Sequence, residues 1–175
     1  EKLAQWILWG TIAVIAVLVF KEYTKVTDVT NLIGASKATV ERTLDVTLDS
    51  DTKYVQRLYR YTEGEMTMDG GDQGVGLVYL DGKLCGMHID HKKYSIFGIK
   101  MGDSEIDVDN NLTYAYEEQM IVLDDLYDEG NSKGVFYVNE TKNDCLVITY
   151  NDMTGRVLAV TYYDNYAKVT ETLGG

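Results

Sequence analysis

The opening of the chain is an apolar stretch that constrains how the rest can be arranged. Leu3 to Phe20 reads LAQWILWGTIAVIAVLVF, with one Gln and no charged residue. A bilayer core of about 30 Å needs about 20 helical residues, and the rings of Trp6, Trp9 and Tyr23 favour the headgroup zone at its edges. The sequence therefore predicts a transmembrane anchor and juxtamembrane segment over residues 1–25, with the lipid bilayer as the partner of Leu3 to Phe20.

A cleavable signal peptide is the alternative, but its apolar core usually spans about 7–15 residues and ends at small residues, whereas Phe20 is followed by KEYTK. The sequence constrains the orientation of this segment across the membrane less strongly. Lys21 and Lys25 after the segment favour a cytoplasmic C-terminal side, yet long domains translocate largely regardless of charge. Because the chain begins at Glu1, we expect residues upstream. We expect a single-pass protein of the cell membrane whose domain, residues 26–175, lies outside the cytoplasm.

The whole chain is acidic, with a formal net charge of -12. A field of this sign repels nucleic acid and anionic headgroups, and no basic patch with interleaved aromatic residues occurs in the sequence. Nucleic-acid binding is therefore excluded. Basic partners or cations are favoured.

A pattern that predicts a short helix occurs twice. In each copy, glycine permits a sharp turn, serine is suited to the N-cap, and apolar residues four apart form one helical stripe. The second copy adds Asp107 three residues after the serine, which is a capping signature. At a constant offset of 68, the paired positions are Gly34 and Gly102, Ser36 and Ser104, Val40 and Val108, and Leu44 and Leu112.

Each helix pattern is followed by strand patterns that end in a hairpin. Asp81-Gly82 between apolar runs predicts a type I′ turn. The segments 144–150 and 156–163 predict a second hairpin, whose Gly155 matches Gly82 at an offset of 73. The prediction is an α+β fold in which two pseudo-repeats, residues 26–93 and 94–175, follow the transmembrane helix and form one globular domain, each repeat being a short helix packed on an antiparallel sheet.

Several segments resemble the CAP-associated N-terminal domain, a tandem module of Gram-positive bacteria often found beside a cysteine-rich-secretory-type CAP domain in exported proteins. They are Gly34-x-Ser36 with Val40 and Leu44, GVGLVYLDGKLCGMHID, FGIKMGDSEIDV and YNDMTGRVLAVTYYD. More distantly, the repeat unit is similar to SmpA-type outer-membrane assembly lipoproteins and to β-lactamase inhibitory protein. The resemblance covers most of residues 30–164. It implies an α+β fold and an extracytoplasmic setting, and no catalytic residue.

Residue types that bind metals occur together in two kinds of place. His88, Asp90 and His91 form one cluster, but on a strand His91 points away from the other two, so we expect a solvated strand end. Two runs of carboxylates lack the spacing of a calcium loop, and we expect solvated acidic faces. They are Asp103, Glu105, Asp107 and Asp109, and Asp124, Asp125, Asp128 and Glu129. No metal site and no cofactor are predicted.

Motifs for nucleophilic catalysis are absent: neither G-x-S-x-G nor a phosphate-binding glycine loop occurs. Cys85 aligns with Leu158 in the second repeat and is assigned to the core. Cys85 and Cys145 are the only cysteines. Whether their Cα atoms lie within the about 7 Å needed for a disulfide is left open.

Tyrosine is unusually frequent, with 14 residues against 3 Phe. Tyrosine suits strands that are wet on one edge, so ordinary half-buried strand packing is the simpler interpretation and a binding surface is the other. The candidates for that surface are Tyr59, Tyr61, Tyr79, Tyr137, Tyr150 and Tyr162, and which face of the sheet is exposed is left open. We predict a non-catalytic, membrane-anchored binding or adaptor protein of the bacterial cell envelope, with another envelope protein as partner. The alternatives are a subunit of an envelope or filament assembly that uses the apolar helix, and a hydrolase of unknown type.

Overall fold

A computed structural model describes residues 2–23, 25–44, 66–70, 74–112, 116–119 and 132–167. The helices are α1 (Lys2–Tyr23), α2 (Lys37–Leu44) and α3 (Glu105–Leu112), with one 3₁₀ turn at Thr30–Leu32. The strands are β1 (Thr27–Asp28), β2 (Met66–Gly70), β3 (Val75–Leu80), β4 (Lys83–Ile89), β5 (Tyr94–Ser95), β6 (Glu117–Gln119), β7 (Ser132–Asn139), β8 (Asp144–Asn151) and β9 (Val157–Tyr163). The fold class is α+β.

Seven of these strands form one antiparallel sheet in the order β2-β3-β4-β9-β8-β7-β6. The prediction gave each pseudo-repeat its own sheet, but β4 pairs directly with β9, so the strands of both halves are continuous. Strands β1 and β5 form a separate parallel pair. Strand order depends on contacts between distant parts of the chain, and the local pattern contains no information on it.

The two halves share the same turn before their helices. The N–H of Gly34 donates to the carbonyl of Leu84 at 2.7 Å, and the N–H of Gly102 donates to the carbonyl of Val157 at 2.8 Å. Both glycines have positive φ, 79° and 93°, where a side chain is strained. Isolated β-bridges follow at equivalent positions: Ser36 with Lys83, and Ser104 with Arg156.

Both hairpins carry a β-bulge at equivalent positions. In the first, Val78 faces Gly86 and the next pair is Tyr79 with Leu84, which leaves Cys85 as the extra residue. In the second, the extra residue is Leu158. A bulge changes the direction of the side chains around it. The predicted type I′ turn is confirmed, since Asp81 and Gly82 have φ values of 50° and 74°.

Helices α2 and α3 pack on one face of the sheet. Val40 and Val108 are fully buried in the same apolar cluster as residues of β3, β4, β8 and β9. The predicted cap of α3 is confirmed: the N–H and hydroxyl of Ser104 donate to Asp107 Oδ2 at 2.8 and 2.6 Å, and the N–H of Asp107 donates back to Ser104 Oγ at 3.2 Å. The cap satisfies backbone groups that a helix start leaves unpaired.

The predicted transmembrane anchor at residues 1–25 is wrong. The described part of the chain contains no helix long and apolar enough to cross a membrane. The transmembrane and single-pass predictions that rested on Leu3 to Phe20 are corrected for this reason.

Asp28 connects the beginnings of the two halves. Its Oδ2 accepts hydrogen bonds from the Gly98 N–H at 2.8 Å and the Ser95 hydroxyl at 3.1 Å, and its Oδ1 accepts from the Thr30 N–H at 2.9 Å. Burial would raise the pKa of Asp28, but the hydrogen bonds from Thr30, Gly98 and Ser95 lower it below its ordinary value. The ionised carboxylate therefore stabilises the junction.

We predict that Asp28→Ala lowers the free energy of unfolding at pH 7 by about 2 kcal/mol, because charge-assisted hydrogen bonds are lost. The folded pKa lies below the unfolded one, so this stabilisation is present above about pH 4 and is lost as the pH falls further. Urea unfolding at pH 7 and pH 3 measures both effects. Asp152→Ala, in the exposed turn between β8 and β9, is the control. Equal midpoints for the Asp28 variant and the wild type at pH 7 would contradict the assignment.

Candidate functional site

The tyrosines predicted to form a binding surface lie in the core where the structure describes them. Tyr79 and Tyr150 are fully buried, and Tyr137 and Tyr162 are 5% and 3% exposed. A tyrosine hydroxyl can be buried when it has a hydrogen-bond partner in the core. The hydroxyls of Tyr137 and Tyr150 are such a pair, 3.1 Å apart. These rings alternate along their strands with residues of the other face, and they face the helices. Tyr59 and Tyr61 lie outside the described residues.

The His88 cluster is placed where the two halves meet. His88 Nδ1 lies 2.8 Å from the Thr161 hydroxyl, and its Nε2 lies 4.0 Å from Asp90 Oδ2. Burial lowers the pKa of His88, although the Asp90 carboxylate acts in the opposite direction. His91 is exposed, and its Nδ1 accepts from the Lys93 N–H at 3.1 Å. Among the described residues, no group of three or more His, Cys, Asp or Glu side chains is arranged to hold a metal.

The order Thr161, His88, Asp90 resembles a nucleophile, a base and an orienting acid. Thr161 is 9% exposed, however, and lies on β9 between β4 and β8, so its backbone is engaged on both sides. A hydrolytic nucleophile needs an accessible hydroxyl beside free donors for an oxyanion. The contact therefore serves to join β4 to β9.

Three acids of the first predicted run have ion-pair or hydrogen-bond partners in the structure. Asp103 lies 3.2 Å from the Lys100 ammonium, Glu105 lies 2.7 Å from that of Lys133, and Asp107 caps α3. The second predicted run, at 124, 125, 128 and 129, lies outside the described residues.

Both cysteines are buried, and neither forms a disulfide. Cys145 faces Tyr163 on β9, and Tyr163 faces Gly86 on β4, next to Cys85. Adjacent strands are about 4.8 Å apart, so the two cysteines are separated by about 10 Å, which exceeds the disulfide limit of about 7 Å. Burial and the Asp144 carboxylate raise the pKa of Cys145 to about 12, the opposite of an activated thiol.

Sequence reasoning missed a set of polar side chains at one end of the sheet. Asn139 faces Asp144, and Glu117 faces Val138. Continuing these registers by one residue places Tyr116 opposite Asn139. Cys145 faces Tyr163 in the same way, which places Asp164 opposite Asp144. We call Tyr116, Asn139, Asp144 and Asp164 the polar row. Asp144 begins one of two strands that the sequence predicts to pair, and Asp164 follows the end of the other. Their proximity could therefore have been predicted from the sequence.

The polar row concentrates negative charge beside the core. Asp144 is 6% exposed, and its Oδ2 accepts from the Tyr162 hydroxyl at 3.1 Å. Burial and the Asp144 carboxylate raise the pKa of Asp164 to about 6. The same two causes raise the pKa values of Tyr116 and Tyr162. The ring of Phe97 packs beside the row, with its centroid 5.6 Å from that of Tyr116 and 5.9 Å from that of Tyr162.

Helix α1 presents a second candidate site, an exposed apolar surface. We call its large apolar side chains, which are between 47% and 77% exposed, the α1 surface. The polar group of Thr11 is satisfied within the helix, by a 2.9 Å bond from its hydroxyl to the Ile7 carbonyl. The members are Trp6, Ile7, Leu8, Trp9, Ile12, Val14, Ile15, Val17, Leu18, Val19 and Phe20.

Comparison of the sequence with protein families and with curated proteins gives no match. Among solved structures, the chain is similar to an extracellular protein containing an SCP domain from Bacillus anthracis strain Ames, at 12% identity and a TM-score of 0.47, over 80% of this chain and 46% of that one. It is also similar to a cysteine-rich secretory protein from Staphylococcus aureus strain Mu50, at 8% identity and a TM-score of 0.43, over 76% and 43%. The chain spans less than half of either protein, and scores this low carry no conclusion about it.

We predict that Cys85 and Cys145 remain reduced and unreactive in the folded protein. Because both thiols are buried, alkylation under native conditions is expected to be roughly a hundredfold slower than in denaturant, where both react. Mass spectrometry of the labelled chain counts the modified thiols. Recovery of a Cys85–Cys145 disulfide from non-reducing preparations would contradict the strand separation described above.

Proposed function

We propose that the chain is a non-catalytic binding or adaptor module that works outside the cytoplasm and uses α1 to contact an apolar surface of a partner protein in the cell envelope. The observation that carries this proposal is the α1 surface, with 11 large apolar side chains at least 47% exposed. Contiguous exposed apolar surface of this extent is typical of an interaction site.

The energetics indicate what kind of partner is needed. Fully burying one large apolar side chain contributes about 1.5–3 kcal/mol, so covering one face of α1, about five side chains, contributes about 10 kcal/mol. Association costs about 4–15 kcal/mol in lost freedom. One helix face is therefore marginal. A groove or helix bundle that covers more than one face of α1 gives stable binding.

Two further observations support a role in binding rather than catalysis. The thiol of Cys145 is buried with a raised pKa, and the Thr161 hydroxyl next to His88 is held inside the sheet. The net charge of -12 favours basic partners or cations. The resemblance of the repeat to an exported bacterial module supports the extracytoplasmic setting.

The same α1 surface favours one alternative, a subunit of an envelope or filament assembly. In that case the covering surface is α1 of other copies of the chain. The two functions differ in what α1 touches, which makes them separable by crosslinking.

We predict that a photo-crosslinking residue at Trp9 of the full chain, in its native cells, gives an adduct with one partner protein. Ile12→Asp on the same helix is expected to weaken this complex by about 2 kcal/mol or more, roughly thirtyfold in Kd, because a charge enters an apolar contact. Identification of the adduct by mass spectrometry is the measurement.

The matched control for that experiment is Ile106→Asp on α3, a single apolar side chain that is 71% exposed and lies outside the α1 surface. It should leave the adduct unchanged. Adducts between copies of this chain would favour the assembly subunit. A monomeric chain without any adduct from α1 would contradict both functions.

A further inference from the structure

Three lysines form a positive patch on a chain whose formal net charge is -12. Lys25 lies two residues before β1, and Lys92 and Lys93 directly precede β5. Because β1 and β5 are parallel, with Thr27 opposite Tyr94, the segments before them lie side by side at the same end. The N–H of Thr27 donates to the carbonyl of Lys93 at 2.8 Å, which fixes this arrangement. We call Lys25, Lys92 and Lys93, which are all exposed, the lysine patch.

The charges of the lysine patch have no acidic partner among the side chains that the structure describes. None of the three lysines takes part in an ion pair there. Two acids close to the patch in the chain are engaged elsewhere. Asp28 on β1 accepts three hydrogen bonds at the junction of the two halves, and Asp90 lies 4.0 Å from His88 Nε2. Since like charges held together repel each other, an anion that lies between the lysines is stabilised.

The backbone that carries the patch is held by local contacts. The N–H of Tyr94 donates to the His91 carbonyl at 3.1 Å, and the N–H of Lys93 donates to His91 Nδ1 at 3.1 Å. The Lys93 ammonium lies 5.7 Å from the centroid of the buried Tyr94 ring, a distance at which cation and ring attract each other. The patch is therefore ordered before binding, which lowers the entropic cost of a complex.

The lysine patch follows the α1 surface directly in the chain. Helix α1 ends at Tyr23, two residues before Lys25, and its last turn contains the exposed Lys21. Val26, beside Lys25, is 41% exposed. Two residues of extended chain span at most about 7 Å. A partner seated on the C-terminal part of α1 therefore reaches the lysine patch.

We propose that the partner protein that covers α1 presents a cluster of Asp and Glu side chains to the lysine patch. This inference rests on the proposed function and adds the chemistry of the partner: an apolar groove for α1, with an acidic rim where the helix ends. Because the lysines are exposed, they act as rim charges. Such charges steer the encounter and fix the orientation of the complex, while the apolar contact provides most of the affinity.

A long phosphate polymer is the other anion that exposed lysines attract. It would extend beyond three lysines and meet the rest of a chain with a net charge of -12, which repels it. Planar, bidentate recognition of phosphate also favours arginine, and the patch consists of lysine alone. An acidic surface on a folded protein can end where the patch ends. Charge complementarity therefore favours protein carboxylates over a polymer.

The first test measures the chemistry of the patch with the full chain and a fluorescent octaglutamate peptide. Fluorescence anisotropy at an ionic strength of about 20 mM should show binding, and about 0.5 M salt should remove it by screening. Lys92→Glu should weaken binding roughly fivefold, because an attraction becomes a repulsion. Lys142→Glu, an exposed lysine in the turn between β7 and β8, changes the net charge equally and should alter binding by less than about twofold.

Three results of this test would overturn the inference. They are the absence of peptide binding, an equal loss of binding in the Lys142→Glu control, and tighter binding of a linear polyphosphate of the same charge as the peptide.

The second test separates this inference from the proposed function. In native cells, a carbodiimide joins a lysine amine to a carboxylate where the two groups are in contact. Mass spectrometry should find Lys92 or Lys93 joined to Asp or Glu of the same protein that the photo-crosslinker at Trp9 captures. A Trp9 adduct without such a link, or links only to another copy of this chain, would overturn the inference and leave the contact of α1 standing. Absence of the Trp9 adduct would overturn both.

Discussion

The pairing of β4 with β9 is the interaction on which the rest of the structure depends. These are the last strands of the two halves, and their register runs from Gly86 opposite Tyr163 to Ile89 opposite Val160. At its centre, His88 and Thr161 face each other and hydrogen-bond at 2.8 Å. They are 73 residues apart, the offset that also relates Gly82 to Gly155. This pairing gives both halves one core, since residues of β3, β4, β8 and β9 belong to the same buried apolar cluster.

The features described above follow from that arrangement. Helices α2 and α3 cover the same face of the shared sheet, and Asp28 fixes the first half to the turn at Gly98 in the second. The polar row lies at one end of the sheet, where β7 ends, β8 begins and β9 ends. The polar residues at these three strand ends are in register with one another. Since α1 precedes all of these elements, its exposed apolar side chains are available for contacts that leave the sheet intact.

The turns, the helix cap and the first hairpin could be predicted from the sequence, whereas the pairing of strands distant in the chain could not. The turns at Gly34 and Gly102, the Ser104 cap and the Asp81-Gly82 hairpin each follow from residue types within a few positions. The joining of both halves through β4 and β9 depends on strands 73 residues apart. The burial of Tyr79, Tyr137, Tyr150 and Tyr162 could not be predicted, because alternation along a strand identifies two faces but not which face is covered.

The central claim is that the two halves form one cooperative sheet through β4 and β9. Native-state hydrogen exchange of the full chain, followed by mass spectrometry of fragments, tests it most directly. The amides of β3, β4, β8 and β9 should exchange together, by global unfolding, with the same free energy in both halves. Exchange of β3 and β4 at a clearly lower free energy than β8 and β9 would show that the first half opens alone and would contradict the claim.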